Sequence, residues 1–202
     1  MKLYFGPGAC SLSPHIALRE AGLPFTAIKV NSRTKETDGG GDFRTINPKG
    51  YVPALGLADG SVLTEGPAIV QYIADRVPEK KLAPAAGTME RYRLMEWLNF
   101  ISTEIHKSFS PLFNPATPED YKPLVKERLL GRLKWVDQQL EGKAYLMGDT
   151  FTVADAYLFV VNSWGGYVGV DTTGLANLSA FQKRVAARPA VQEALKAEGL
   201  LK

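Results

Sequence analysis

The chain has 202 residues, 45% hydrophobic and 22% charged, which suits one large or two small globular domains with a core that needs no disulfide or metal staple. A net charge of +3, with Lys and Arg spread along the chain, argues against nucleic acid as a partner. No apolar run approaches ~20 residues, so no membrane span is expected; with two histidines and one cysteine, a structural zinc site is not expected either. The N-terminus lacks a signal-peptide pattern, and a single unpaired cysteine suits a reducing cytoplasm.

Lys2–Phe5 reads as a short strand, followed by Pro7-Gly8-Ala9-Cys10-Ser11-Leu12-Ser13-Pro14. Ser11 or Ser13 can cap a helix, and Pro14 suits its first turn. Cys10 then stands at a helix N-terminus, where unpaired N–H groups and the positive dipole end favour thiolate, so an acidic thiol is expected. Phe25–Val30 alternates like a strand. Pro53–Leu57 and Ser61–Leu63 flank Asp59-Gly60, a hairpin signal. Val52-Pro53 at the strand entry reads in two ways. A cis bond would turn the Val52 main chain outward to pair with an extended peptide, whereas a trans proline would simply open an edge strand.

Glu65 and Gly66 precede Pro67 at the start of another helix. Free N–H groups there bind a carboxylate and Glu65 can pair with an ammonium, as an α-amino acid head group requires; helix capping by Thr64 or Glu65 is the plainer reading. The Pro- and Gly-containing stretch near 78–87 reads as a linker between 1–80 and 87–202.

Beyond it the chain reads as helix throughout. Leu94, Leu98, Ile101 and Ile105 form one apolar stripe; Val125, Leu129, Leu133, Val136 and Leu140 form another. On a regular helix Asn99, Thr103 and His106 share a face away from the first stripe, and Glu104 points elsewhere. Thr152-Val153-Ala154-Asp155 is a capping box and a folding signal. A last helix is expected from near Leu178 to Arg188, where Pro189 either ends it or opens another.

A strand, a thiol at a helix start, a Val-Pro before a hairpin and an acid-Gly helix start together resemble the thioredoxin fold. With the helical second half and its capping box, the chain resembles the cytosolic glutathione transferases, and among them the bacterial beta class. The matching segments include Pro7–Ile16, Asn47-Pro48-Lys49-Gly50, Leu63-Thr64-Glu65-Gly66, Glu96-Trp97-Leu98-Asn99, His106-Lys107 and Phe151–Phe159, nearly end to end.

The resemblance implies an α/β thioredoxin-like glutathione-binding domain followed by an all-α domain that carries the second-substrate pocket and a homodimer interface. It implies glutathione as co-substrate, no metal, and a small hydrophobic electrophile as second substrate. It places Cys10 beside the glutathione sulfur and His106 near that thiol. Lys35 goes to the glycyl carboxylate, the Val52 main chain before Pro53 to the cysteinyl unit, and Glu65 and the Gly66 N–H to the γ-glutamyl head. Asn99, Thr103 and Glu104 would complete the site, with Asn99 and Glu104 reaching across the dimer. Phe109, Phe113, Trp164 and Tyr167 are assigned to the second-substrate pocket.

Cys10, His106 and Ser11 are the candidates to stabilise thiolate, and Tyr4 is a weaker rival. Gly66 stands where many relatives have Ser, and Pro67 where Val is usual. Two other readings are glutathione-dependent disulfide exchange through Cys10 and a non-catalytic binder of hydrophobic ligands.

Overall fold

The computed structural model describes residues 1–201. Its N-terminal part is a four-stranded sheet of order β2-β1-β3-β4, built from β1 (Lys2–Phe5), β2 (Thr26–Lys29), β3 (Ala54–Gly56) and β4 (Val62–Thr64). β1 pairs with β2 in parallel, through the crossover helix α1 (Leu12–Ala21). It pairs with β3 antiparallel, Leu3 opposite Leu55, and β3 pairs antiparallel with β4. Gly60 supplies the positive φ of +85° that the β3–β4 turn requires. α2 (Gly66–Asp75) follows β4 and packs with α1, and Ile16, Leu18, Ile69 and Ile73 are buried to 0% exposure between helices and sheet. The β-α-β-β-α order matches the expected thioredoxin-like architecture.

The rest is helical: α3 (Met89–Phe100), a π-helical turn over Ile101–His106, α4 (Lys107–Phe113), α5 (Lys122–Gln139), α6 (Val153–Ser163), the short α7 (Gly165–Val168), α8 (Ala176–Ala186) and α9 (Pro189–Ala197). Both apolar stripes are buried as expected. Pro189 opens a new helix, resolving that alternative. Asp155 accepts from the Thr152 N–H at 2.7 Å and the Leu146 N–H at 2.8 Å, so the box also ties α6 to the preceding loop.

The stretch read as one regular helix from Leu94 to Ile105 is not regular. At its end the Lys107 N–H reaches back to the Ser102 carbonyl, a wide i to i+5 turn. Angles drawn on a 3.6-residue helix therefore do not hold past Phe100.

Side chains near the C-terminal end brace the start of the chain. Glu198 accepts from the Gly8 N–H at 3.0 Å and meets His15 Nδ1 at 2.8 Å, fully buried. Trp164 donates from Nε1 to the Gly8 carbonyl at 2.9 Å, and Arg188 forks onto Glu20. These contacts fix the Pro7–Cys10 turn against the helical half and shape the cleft between them.

Candidate active site

The cleft encloses about 1030 Å³. One wall is the turn from Gly6 to Cys10, with Asn31 and Ser32 nearby; the other brings His106, Phe109, Phe113, Trp164 and Tyr167 from the helical half. Cys10 sits where β1 turns into α1, and its Sγ donates to the Val52 carbonyl at 3.5 Å. The expected acidic thiol is not found. Backbone N–H groups of Cys10 and Ser11 do lower its pKa, but burial outweighs them and, with the Glu65 charge adding to it, pushes the thiol up to about 11. At neutral pH Cys10 is a thiol.

Ser11 does not face the cleft. It is fully buried; its hydroxyl accepts from the Gly6 N–H at 3.1 Å and donates to the Gly6 carbonyl at 3.2 Å. With both functions turned to the β1–α1 corner, it fastens the turn and leaves no donor for a bound sulfur. Tyr4 is likewise buried, stacked at a tilt on Phe43 with centroids 5.6 Å apart.

Behind Cys10 a second group gathers. The Val52–Pro53 bond is cis, and Val52 lies just outside the β3 ladder. Gly66 approaches the Pro53 ring. Glu65 stands at the N-terminus of α2 with φ +69°, a conformation that L-residues rarely hold. Its carboxylate is paired with Lys49, whose ammonium also donates to the Thr64 hydroxyl at 2.8 Å, and with the Tyr51 hydroxyl at 3.4 Å. The Lys49 hydrogen bond holds the Glu65 pKa down. Lys49 was absent from the residues expected in the site. It lies in the Asn47–Gly50 turn, where a lysine reads as ordinary surface charge. Lys35 lies in the loop after β2 with φ +66°, its main chain bonded to Asn31 and Phe43, four residues on from Asn31 in the cleft wall.

The wide turn separates residues that sequence spacing put together. His106 enters the cleft, whereas Asn99 and Thr103 are exposed, with Thr103 Oγ1 donating to the Asn99 carbonyl at 3.0 Å. Glu104 is bound within its own chain, to Arg132 at 2.8 Å and Arg128 at 3.6 Å on α5, so it does not stand free to reach a partner.

His106 Nδ1 lies 2.6 Å from the Tyr157 hydroxyl, and its ring stands edge-on to Trp164 at 4.9 Å. Burial, aided by the Lys107 charge, holds its pKa down to about 4, so the imidazole is neutral at pH 7. Burial also raises the Tyr157 pKa, keeping the phenol protonated. Tyr157 was not anticipated: within the apolar run of α6 it carries no sequence signal beyond core.

Beyond His106, Trp164 takes Phe109 and Phe113 edge-on at 5.6 and 6.0 Å. Phe109 and Trp164 are buried, while Phe113 and Tyr167 are open to solvent, so the aromatic pocket has a closed floor and an open rim. Among the described residues, no cluster of His, Cys, Asp and Glu is arranged to hold a metal ion.

The arrangement can hold a charged, extended thiol against the sheet half and present its sulfur to an apolar pocket. Family comparisons agree with that geometry. Residues 8–76 match the glutathione S-transferase N-terminal domain and residues 100–189 the C-terminal domain. Glutathione S-transferase GstA of Escherichia coli O157:H7 is 50% identical, over 99% of this chain and 100% of that one. A sphingomonad glutathione S-transferase complexed with glutathione superposes with TM-score 0.96 at 50% identity, covering 100% of both chains. A bacterial beta class glutathione S-transferase from Sphingomonas chungbukensis gives TM-score 0.96 at 49% identity, again over 100% of both. The chain belongs to the glutathione S-transferase family. Its similarity lies with the bacterial beta class.

Proposed function

We propose that the chain transfers glutathione, held as thiolate, to small hydrophobic electrophiles, and does so as a homodimer. The observation that carries this reading is the juxtaposition of Cys10 and His106 in a cleft that continues into the Phe109, Phe113, Trp164 and Tyr167 pocket. Residues 1–80 form the glutathione-binding domain, with residues 87–202 supplying that pocket and the dimer face. Glu65 and the Gly66 N–H hold the γ-glutamyl head, the Val52 main chain before Pro53 pairs with the cysteinyl unit, and Lys35 meets the glycyl carboxylate. A thiolate is the reacting nucleophile, so an N–H donor beside it speeds attack by favouring ionisation. Disulfide exchange through Cys10 needs that thiol ionised, and burial works against it.

The dimer reading is supported by α3, which exposes Met89, Tyr92 and Met95 three residues apart along the helix. Asn99 continues that exposed surface and is the residue that reaches the partner's site. Glu104 joins it only if its pairs with Arg132 and Arg128 open. No helix among the described residues is long and apolar enough to cross a membrane, and the site of action proposed is the cytoplasm.

The test uses two variants, one Glu65→Ala, the other Asn99→Ala, each assayed for conjugation of a chromogenic aryl halide and for reduction of a glutathionylated dithiol substrate. Aryl halide turnover by the native protein, with activity partly restored when the two weakened variants exchange subunits, is the expected result. Disulfide reduction without conjugation would overturn the transfer reading. Subunit exchange confirmed by mass without recovery would overturn the shared site.

A further inference from the structure

His106 has a second nitrogen, and what that nitrogen touches decides what the cleft receives. A neutral imidazole carries one proton, on Nδ1 or on Nε2. If the cleft-facing nitrogen bears it, the ring donates to an anionic sulfur; if that nitrogen is bare, its lone pair repels the anion and favours the thiol. The choice therefore sets the sign of the His106 effect.

The surroundings of Nδ1 make the choice. Nδ1 lies 2.6 Å from the hydroxyl of Tyr157, which is 3% exposed and projects from α6. Among the described residues, His106 Nδ1 is the one hydrogen-bond partner within reach of that buried hydroxyl. Were Nδ1 to donate to the phenol oxygen, the buried phenol proton would be left without an acceptor; with that proton directed at Nδ1 the pair is satisfied. Trp164 holds the ring edge-on, and its indole N–H is anchored on the Gly8 carbonyl in the Cys10 turn. The charged and titratable groups acting on this cluster are Lys107, Cys10 and Glu65. Burial, with the Lys107 charge adding to it, keeps the imidazole neutral, so a single ring proton has to be placed.

We propose that Tyr157 donates to Nδ1 and thereby fixes His106 with its proton on Nε2, so that the ring donates into the cleft toward the glutathione sulfur. Tyr157 is thus a positioning residue, acting through His106. The inference rests on the reading that the glutathione sulfur lies between Cys10 and His106.

His15 provides an internal reference. Arg19 Nε donates to its Nε2 at 3.2 Å and Glu198 meets its Nδ1 at 2.8 Å, which puts the proton on Nδ1. The chain has only these two histidines. Nitrogen NMR of the full-length protein labelled with ¹⁵N-histidine should show two neutral rings of opposite tautomer, the Nε2-protonated one vanishing in His106→Ala. In Tyr157→Phe the fixed tautomer should be lost. The acid limb of kcat/KM for the electrophile at saturating glutathione, which reads ionisation of the bound thiol, should rise by about one pH unit. At neutral pH that is on the order of a tenfold loss, recovered at high pH, with the KM for glutathione little changed.

A proton on Nδ1 of His106 in the native protein would overturn the proposal, as would a folded Tyr157→Phe with an unmoved pH profile. If Tyr157→Phe does not fold, the native tautomer decides. His106→Ala with unaltered conjugation would instead overturn the placement of the sulfur, leaving the tautomer result standing.

Discussion

Glu65→Gln tests the head-group site most directly, because it removes the charge and keeps the shape. Glu65 sits at φ +69° at the start of α2, a strained conformation that costs on the order of 1–3 kcal/mol and stays the same with Gln. Its ion pair with Lys49 joins side chains that are 57% and 42% exposed. Such a surface pair contributes about 0.2–1 kcal/mol, so the fold should hardly notice the change. Binding should notice it. A charge-assisted hydrogen bond to the ligand ammonium contributes roughly 1.5–3 kcal/mol, so the Kd for glutathione should rise by about 10- to 150-fold.

Lys49 donates to one oxygen of the Glu65 carboxylate, so an incoming ammonium shares or displaces it. Lys49→Met therefore serves as a control, in which affinity should hold or improve. Glu65→Gly should separate the two effects further, relieving the strained φ and raising the melting temperature while losing affinity as Gln does. Isothermal titration with glutathione and thermal melts provide both readouts. Unchanged affinity in folded Glu65→Gln would refute the reasoning and leave Glu65 as the opening residue of α2 alone.

Cys10, with its thiol pushed up to about 11 by burial, should react slowly with iodoacetamide at pH 7 and accelerate only above about pH 9, read as intact mass on the sole cysteine; fast labelling at neutral pH would show the helix start to outweigh burial. His106, held down to about 4 against an ordinary 6.5, is neutral in the fold while the unfolded chain protonates first. Its contribution is therefore full above pH 6.5 and lost as pH falls toward 4, by on the order of 3 kcal/mol. Asp155, raised to about 6 by burial, slopes the opposite way over an overlapping range, so the readout is the difference in denaturant stability between native protein and His106→Gln across that window. A difference that does not vary with pH would contradict the neutral, buried ring.

Local patterns were legible in the sequence because they depend on near neighbours. The period of Leu94, Leu98, Ile101 and Ile105, the Asp59-Gly60 turn, the Thr152–Asp155 box and the helix start after Cys10 each require only residues within a few positions of one another. The order of elements then allowed little besides a thioredoxin-like half and a helical half, and Cys10 and Glu65 stood out because an acid or a thiol at a helix start is locally unusual.

What the thiol experiences was not local. The helix start alone argues for an acidic Cys10, but the enclosing cleft draws on residues more than 90 positions away, and their desolvation reverses the sign. His106 parts from Asn99 and Thr103, with which it shares a face on a regular helix, for a related reason. Backbone strings that look helical do not announce a π turn, which arises where packing makes a wider turn cheaper than a regular one. Ser11 looked chemical until the Gly6 backbone was seen to take both sides of its hydroxyl. Tyr157 looked like core until His106 was seen 51 positions away in sequence and 2.6 Å away in space. Composition and spacing settle which elements form. The solvation and hydrogen-bond partners of a buried polar group depend on distant chain, and only the tertiary structure decides them.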